Sequence, residues 1–355
     1  MKRLVASSFS VALRGAAIFA ALCVATPLLP QQRNEIRSVP LTGVAEKGQI
    51  LAGLQAQSFR VKYGTAAVKG MTLDAAPRRI VLLLDMSGSM LNEEPKNSKW
   101  QNARQMAKAF LVHLPASDWV SLCLFATNEK EIVPFTHNLN SIQKAIDNLP
   151  DPDSKPVERI YGRMTYFGDA IAAILAADHE PATFGDSIVV FSDGEFGSEG
   201  KVEMGKLLRP LLARGMRVFL VAADPQLTIS RGLAVGHTSV FSSLLFDGGP
   251  DSRELAESEQ LEYSAEFALA TGGVAIEAEP LGPYSDAFNP DSVDRMMAET
   301  AQLVQNTYQV ELSFENPLQK KRKIDLELVD TRGKPNRKIM LLYPRSLEPA
   351  SKVVH

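Results

Sequence analysis

Asp85, Ser87 and Ser89 occupy alternate positions in the stretch LLLDMSGSM, residues 82–90, directly after a run of apolar residues. A buried strand that ends this way can aim three oxygen-bearing side chains at one point as it opens into a loop, because side chains two apart share a face. Gly88, between the serines, permits a tight backbone path. A second apolar run, SIVVFSDGE, also ends in an acid, Asp193, and Thr165 opens the segment TYFGDAI between the two. Together these residues offer two carboxylates and three hydroxyls, with no nitrogen or sulfur. Oxygen-only ligation suits a hard divalent cation, Mg²⁺ first, with Ca²⁺ or Mn²⁺ as relatives.

Convergence of five such groups requires a scaffold that brings several strand ends to one rim. From Arg78 the chain alternates strand-like and helix-like segments. RIVLLLDMS, WVSLCLFAT, SIVVFSDGE and MRVFLVAAD are continuous apolar runs, the mark of strands covered on both faces. KWQNARQMAKAFLVHL carries Ala103, Met106, Ala107, Phe110 and Leu111 at helical spacing. EIVPFT reads as an edge strand because Pro134 lacks a donor. NSIQKAIDNL reads as a helix capped by Asn140 or Ser141, and PDPDSKPVERIYGRM as a loop. GKVEMGKLLRPLLARG reads as a helix that tolerates Pro210 and stops at Gly215. The pattern predicts an α/β fold, a doubly wound, mostly parallel sheet flanked by helices. In such sheets ligands bind at the carboxyl ends of the strands, where Asp85, Ser87, Ser89, Thr165 and Asp193 fall.

The flanks differ in texture. Residues 31–77 read as a β-rich N-terminal extension, and 279–345 as a C-terminal extension made of a helix and a β-hairpin around TRGKPN, followed by a tail at 346–355. Residues 224–256 lack periodicity and are long for a connection inside a domain, so they are expected to form a mobile rim element. Residues 1–30 read as a signal peptide: Lys2, Arg3 and Arg14 precede an apolar core, and no acid occurs before Glu35. The run is short for a membrane-spanning helix. An uncleaved anchor, a lipid attachment at Cys23 and a transit peptide each fit less well. Export to the periplasm, the cell surface or the medium is the expectation, with no transmembrane span in the mature chain.

The chain has 355 residues, 45% hydrophobic and 22% charged, with a net charge of −3, so it can bury a real core and offers no basic stripe for nucleic acid. The run KKRK at 320–323 is expected to be a solvated turn. Of two cysteines, Cys23 lies in the signal and Cys123 in an apolar strand, so no internal disulfide is expected. Ser87 does not sit in a nucleophile elbow, the histidines show no zinc spacing, and the acids at 151–153 lack the glycine and distal glutamate of a calcium loop. His113 and His179 fall at helix ends, where a dipole role is expected.

DMSGSM, followed by TYFGD and then FSDG, resembles the metal-ion-dependent adhesion site of von Willebrand factor type A domains, and the order of elements over 78–278 resembles that fold. The resemblance implies direct ligation by Ser87, Ser89 and Thr165, and ligation by Asp85 and Asp193 directly or through water. Met164 stands where many members carry glycine. The extensions resemble those of an exported bacterial group bearing this domain. The resemblance implies a non-enzymatic, cation-dependent protein-binding module of the adhesion type, whose ion is completed by an acidic group of a protein or other acidic ligand. The alternative is a structural module of an envelope assembly in which the ion only stabilises the fold. A chelatase-type subunit fits less well, since such subunits work beside an ATPase inside the cell.

Overall fold

The computed structural model describes residues 34–45, 49–61, 66–73, 77–91, 98–177, 184–194, 202–225, 234–235, 259–282, 285, 287–336, 338–347 and 349. The expected signal peptide and most of 224–256 lie outside the described residues. In chain order the strands are β1 (Glu35–Ala45), β2 (Phe59–Val61), β3 (Ala66–Leu73), β4 (Arg79–Asp85), β5 (Trp119–Phe125), β6 (Glu129–Thr136), β7 (Ser187–Ser192), β8 (Arg217–Ala222), β9 (Ala234–Val235), β10 (Ala275–Ile276), β11 (Tyr308–Phe314), β12 (Arg322–Lys323), β13 (Leu326–Leu328), β14 (Ile339–Leu342) and β15 (Ser346–Leu347). The helices are α1 (Ser98–Val112), α2 (Leu139–Asp147), α3 (Lys155–Tyr161), α4 (Phe167–Ala177), α5 (Met204–Ala213), α6 (Glu259–Ala270) and α7 (Pro290–Gln305).

The apolar runs assemble into one sheet of order β6-β5-β4-β7-β8-β10-β9. Every neighbouring pair is parallel except β5 with the edge strand β6. Alternation along each strand feeds two cores. In β4, Ile80, Leu82 and Leu84 pack with Trp100 and Phe110 of α1 and Met296 and Val304 of α7, whereas Val81 and Leu83 pack with Ile171 of α4, Leu211 of α5 and Phe267 of α6. A sheet buried on both faces explains why β4 and β7 read as unbroken hydrophobic runs. The chain passes from β4 to β5 on one side, then returns to β7 on the other, so the winding reverses between β4 and β7.

Strands of the two extensions join in a shared sheet. β11 lies between β1 and β3, and β1 pairs β14 at its far end, giving the order β14-β1-β11-β3. Val39, Leu41, Phe59, Val310, Leu312, Phe314 and Leu341 make a third core there. Buried arginines join it to the main sheet. Arg217, at the start of β8, donates to Thr42 Oγ1 at 3.0 Å, to the carbonyls of Leu303 and Val304 at 3.0 and 3.2 Å, and to Thr307 Oγ1. Arg78 donates to the Gln305 carbonyl at 3.2 Å. Cations at the carboxyl end of α7 are favoured by its dipole.

Local differences from expectation have local causes. The cap of α2 is Asn138, whose side chain accepts from Ser141 N–H, rather than Asn140 or Ser141. The expected loop at 150–164 contains α3, where Pro156 sits in the first turn and lacks only a hydrogen bond that no helix would use there. The turn after Val329 closes as expected, with Asp330 N–H on the Lys334 carbonyl at 2.9 Å. Its arms then part: β13 pairs β2 and β14 pairs β1, so the expected hairpin survives only as a tip. Arg322 and Lys323 of the basic run are exposed and pair with Ser346 and Leu347 of the expected tail. Within 224–256, Ala234–Val235 adds to the sheet edge beside β10.

Candidate functional site

Asp85 ends β4 opposite Phe125 of β5, and both are fully buried. Its Oδ1 accepts the Ser87 amide at 2.8 Å, which bends the chain at once into a single 3₁₀ turn over Gly88–Met90. Buried Met90 anchors that turn in the core. The turn brings Ser87 Oγ and Ser89 Oγ within 3.0 Å of each other, and Ser89 Oγ donates to Asp193 Oδ1 at 3.3 Å. Ser192, the last residue of β7, donates to Asp85 Oδ2 at 2.6 Å and accepts the Gly194 amide at 3.0 Å. Asp85, Ser87, Ser89, Ser192 and Asp193 therefore form one hydrogen-bonded chain. It lies at the carboxyl ends of β4 and β7, where the winding reverses and ligands of doubly wound sheets bind.

Thr165 is buried in the neighbouring loop, which Gly88 N–H ties to the serine turn through the Arg163 carbonyl at 2.8 Å. Met164 N–H donates to Thr127 Oγ1 at 3.0 Å, and Tyr166 N–H to the Ala126 carbonyl at 2.9 Å, which pins the loop to the end of β5. Met164 is 46% exposed, so its side chain turns to solvent and leaves the loop path free. Gly162 has φ of +78°, and a β-carbon there would collide with the Thr127 side chain, two demands that favour glycine. Asp169 Oδ1 accepts Val202 N–H at 2.8 Å. A β-carbon on Gly168 would lie 2.3 Å from the Val202 carbonyl oxygen, so glycine is required there as well.

Burial, followed by the charge of Asp193, pushes the Asp85 carboxyl up to about 7, against the hydrogen bonds from Ser192 and Ser87 that favour its ionised form. Sequence reasoning missed three participants. Ser192 links the two acidic strand ends. Lys99, near the start of α1, places Nζ 3.2 Å from Asp193 Oδ2 and 3.1 Å from Asp224 Oδ2. Burial works to lower the Lys99 ammonium, but Asp193 and Asp224 outweigh it and hold it above the ordinary lysine range. Asp224 closes the run MRVFLVAAD and was readable as a third acidic strand end.

With Asp85 ionised, three carboxylates and one ammonium leave two negative charges, the complement of a divalent cation. Among the described residues no three His, Cys, Asp or Glu side chains converge as a metal group, so a cation here would depend on the serine and threonine hydroxyls. Those donors are all oxygen and their residues are small and largely buried, which suits a hard ion and argues against a thiophilic one. Among the described residues the histidines lie elsewhere: His113 Nε2 is 2.9 Å from Asp294 Oδ1, and the His137 ring packs against Trp119. Glu195 and His179 lie outside the described residues. Cys123 is buried, and burial raises its thiol, so it is inert.

Residues 80–195 match the von Willebrand factor type A domain family. No curated protein matches the chain in sequence. Among solved structures, it is similar to the conserved hypothetical protein BatB from Bacteroides thetaiotaomicron, with 17% identity over 64% of this chain and 99% of that one and a TM-score of 0.43. A von Willebrand factor type A protein from Catenulispora acidiphila is 11% identical over 88% of this chain and 74% of that one, also at 0.43. Proximal thread matrix protein 1 from the mussel byssus, in a form described with a zinc-occupied MIDAS motif, is 13% identical over 68% and 48% respectively, at 0.39. The matched segment begins inside β4 and ends two residues past Asp193, so it spans both hydrogen-bonded strand ends, and the main sheet has the fold of von Willebrand factor type A domains.

Proposed function

We propose that the chain is a divalent-cation-dependent protein-binding module of the adhesion type, in which Asp85, Ser87, Ser89, Thr165 and Asp193 hold the ion. The observation that carries this reading is the run of hydrogen bonds joining two fully buried carboxylates through small hydroxyl side chains at the reversal of the sheet. Burying two acids side by side is costly, and the one ammonium nearby, that of Lys99, is shared between Asp193 and Asp224, so a further cation would relieve the pair. Bound there, Mg²⁺ would supply a hard, positively charged position with room for an outside oxygen, since it takes about six oxygens and the protein offers five. An acidic side chain of a partner protein fits that position best, being hard, anionic and able to replace water. The role of the chain's own residues is to bind and orient; none is proposed to perform catalysis. The resemblance of the extensions and the apolar N-terminal run support export of the module.

The test is a pull-down from envelope extract with wild type and Asp85→Ala, each in Mg²⁺ and in chelator. Capture by wild type in Mg²⁺ alone is the expected result. Equal capture by both proteins in both conditions would remove the adhesion mechanism. It would favour the structural-module reading, in which chelation lowers the melting point but leaves assembly contacts intact.

A further inference from the structure

Lys99 is the second residue of α1, and Trp100 beside it is fully buried, so the core fixes the backbone from which the lysine reaches. Its side chain is only 17% exposed and ends between Asp193 and Asp224, at 3.2 and 3.1 Å. Asp193 thus uses its two oxygens in two directions. Oδ1 accepts the Ser89 hydroxyl and faces the serine turn, while Oδ2 faces the ammonium. Asp193 is itself fully buried, so the charges meet where water screens them poorly. A positive charge fixed on a carboxylate that would also serve a divalent cation must oppose that cation while relieving the acids in its absence.

We propose that Lys99 is the resident counter-cation of the site: it stabilises the ion-free state and sets a ceiling on divalent-cation affinity. The inference rests on the cation-site reading above. It makes ion binding exchangeable, so that occupancy follows the concentration of divalent cation around the protein and the fold survives its loss. Asp224 supports the role by giving the ammonium a second anchor, which keeps it beside Asp193 whether or not an ion arrives.

The experiment is isothermal titration of the full chain with Mg²⁺ and with Mn²⁺, alongside thermal melting in EDTA and in saturating Mg²⁺. Lys99→Met keeps most of the apolar stem and removes the charge, Lys99→Gln is a second neutral variant in case the first fails to fold, and Lys99→Arg keeps the charge. The neutral variants should bind Mg²⁺ about tenfold tighter, the low end for a unit charge a few ångströms from a divalent ion under partial screening. They should melt below wild type in EDTA, with the gap closing in Mg²⁺, and Lys99→Arg should stay near wild type in both. Neutral variants that bind the ion no tighter than wild type overturn the inference alone. Absence of ion uptake by wild type and every variant overturns the cation-site reading, and the inference with it.

Discussion

Ser192 gives its hydroxyl proton to Asp85 Oδ2 across 2.6 Å while its oxygen takes the Gly194 amide at 3.0 Å. One small side chain at the end of β7 thereby orients the acid at the end of β4 and the loop that carries Asp193. Ser192→Ala removes a hydrogen bond to a carboxylate and leaves a buried amide without its acceptor, which together cost about 2–3 kcal/mol. At about 2–4 °C per kcal/mol for a domain of this size, the melting point should fall by roughly 5–10 °C. Melting followed by circular dichroism in EDTA checks this, and an unchanged midpoint would show that the link contributes nothing.

Divalent cation should stabilise the fold. The proposed oxygen ligands come from three separate strand and loop segments and converge only in the folded chain, so a hundredfold excess of ion over Kd contributes about 2.7 kcal/mol. A rise of about 5–10 °C in millimolar Mg²⁺ over EDTA is expected. Coincident curves would sink the cation assignment.

The pH dependence of the ion-free protein should run opposite to that of an ordinary salt-bridged acid. Asp85 titrates at about 7 in the folded chain because burial and Asp193 disfavour its charge, against about 3.9 unfolded. Between those values the folded state binds more protons than the unfolded state, so stability falls as pH rises from about 4 to about 7 and then levels. The same proton must leave before a cation binds, so Mg²⁺ affinity should rise over that window. Asp85→Asn keeps the shape, removes the charge and should flatten both trends. Melting points at pH 5, 6, 7 and 8 in EDTA decide the matter; a midpoint that climbs across that range contradicts the assignment.

Gly168→Ala should destabilise the domain at the wall of the site. Its β-carbon would fall 2.3 Å from the Val202 carbonyl oxygen, a backbone atom that cannot swing away. The cost expected of forced overpacking is about 1–3 kcal/mol. Denaturant midpoints read it, and Gly205→Ala, where a β-carbon meets nothing within 4 Å, is the control.

The main sheet was legible because its central strands β4, β5, β7 and β8 are nearly unbroken apolar runs, the mark of burial on both faces. The acids at Asp85 and Asp193 were legible because they interrupt that pattern at a strand end. Lys99 was not, because a lysine in the first turn of a helix reads as solvated surface until the fold turns it toward Asp193. The pairing of β13 and β14 was hidden for a different reason. A turn sequence such as TRGKPN specifies a reversal, and the strands on either side choose partners by which apolar face is available. Phe59 and Val61 of β2 took one arm, and Val44 of β1 took the other. The extent of α3 was hidden by Pro156 and by the prolines and acids just before it, turn formers by composition, although Pro156 sits in the first turn of the helix.

The sheet shared by the two extensions sets an order of assembly. Glu35 is registered against Phe314, and Thr42 against Leu342, so apart from a local bridge between Val44 and Ile50 β1 cannot pair until residues 308–342 have left the ribosome. Contacts so distant in sequence close slowly, since the loop between them must be ordered first. The main sheet, by contrast, has β4 through β8 within residues 79–222 and can form while β1 still waits. A nascent chain would therefore display an unpaired strand, EIRSVPLTGVA, beside a finished domain. During that interval truncation, stalling or a competing strand from a second chain would do its damage.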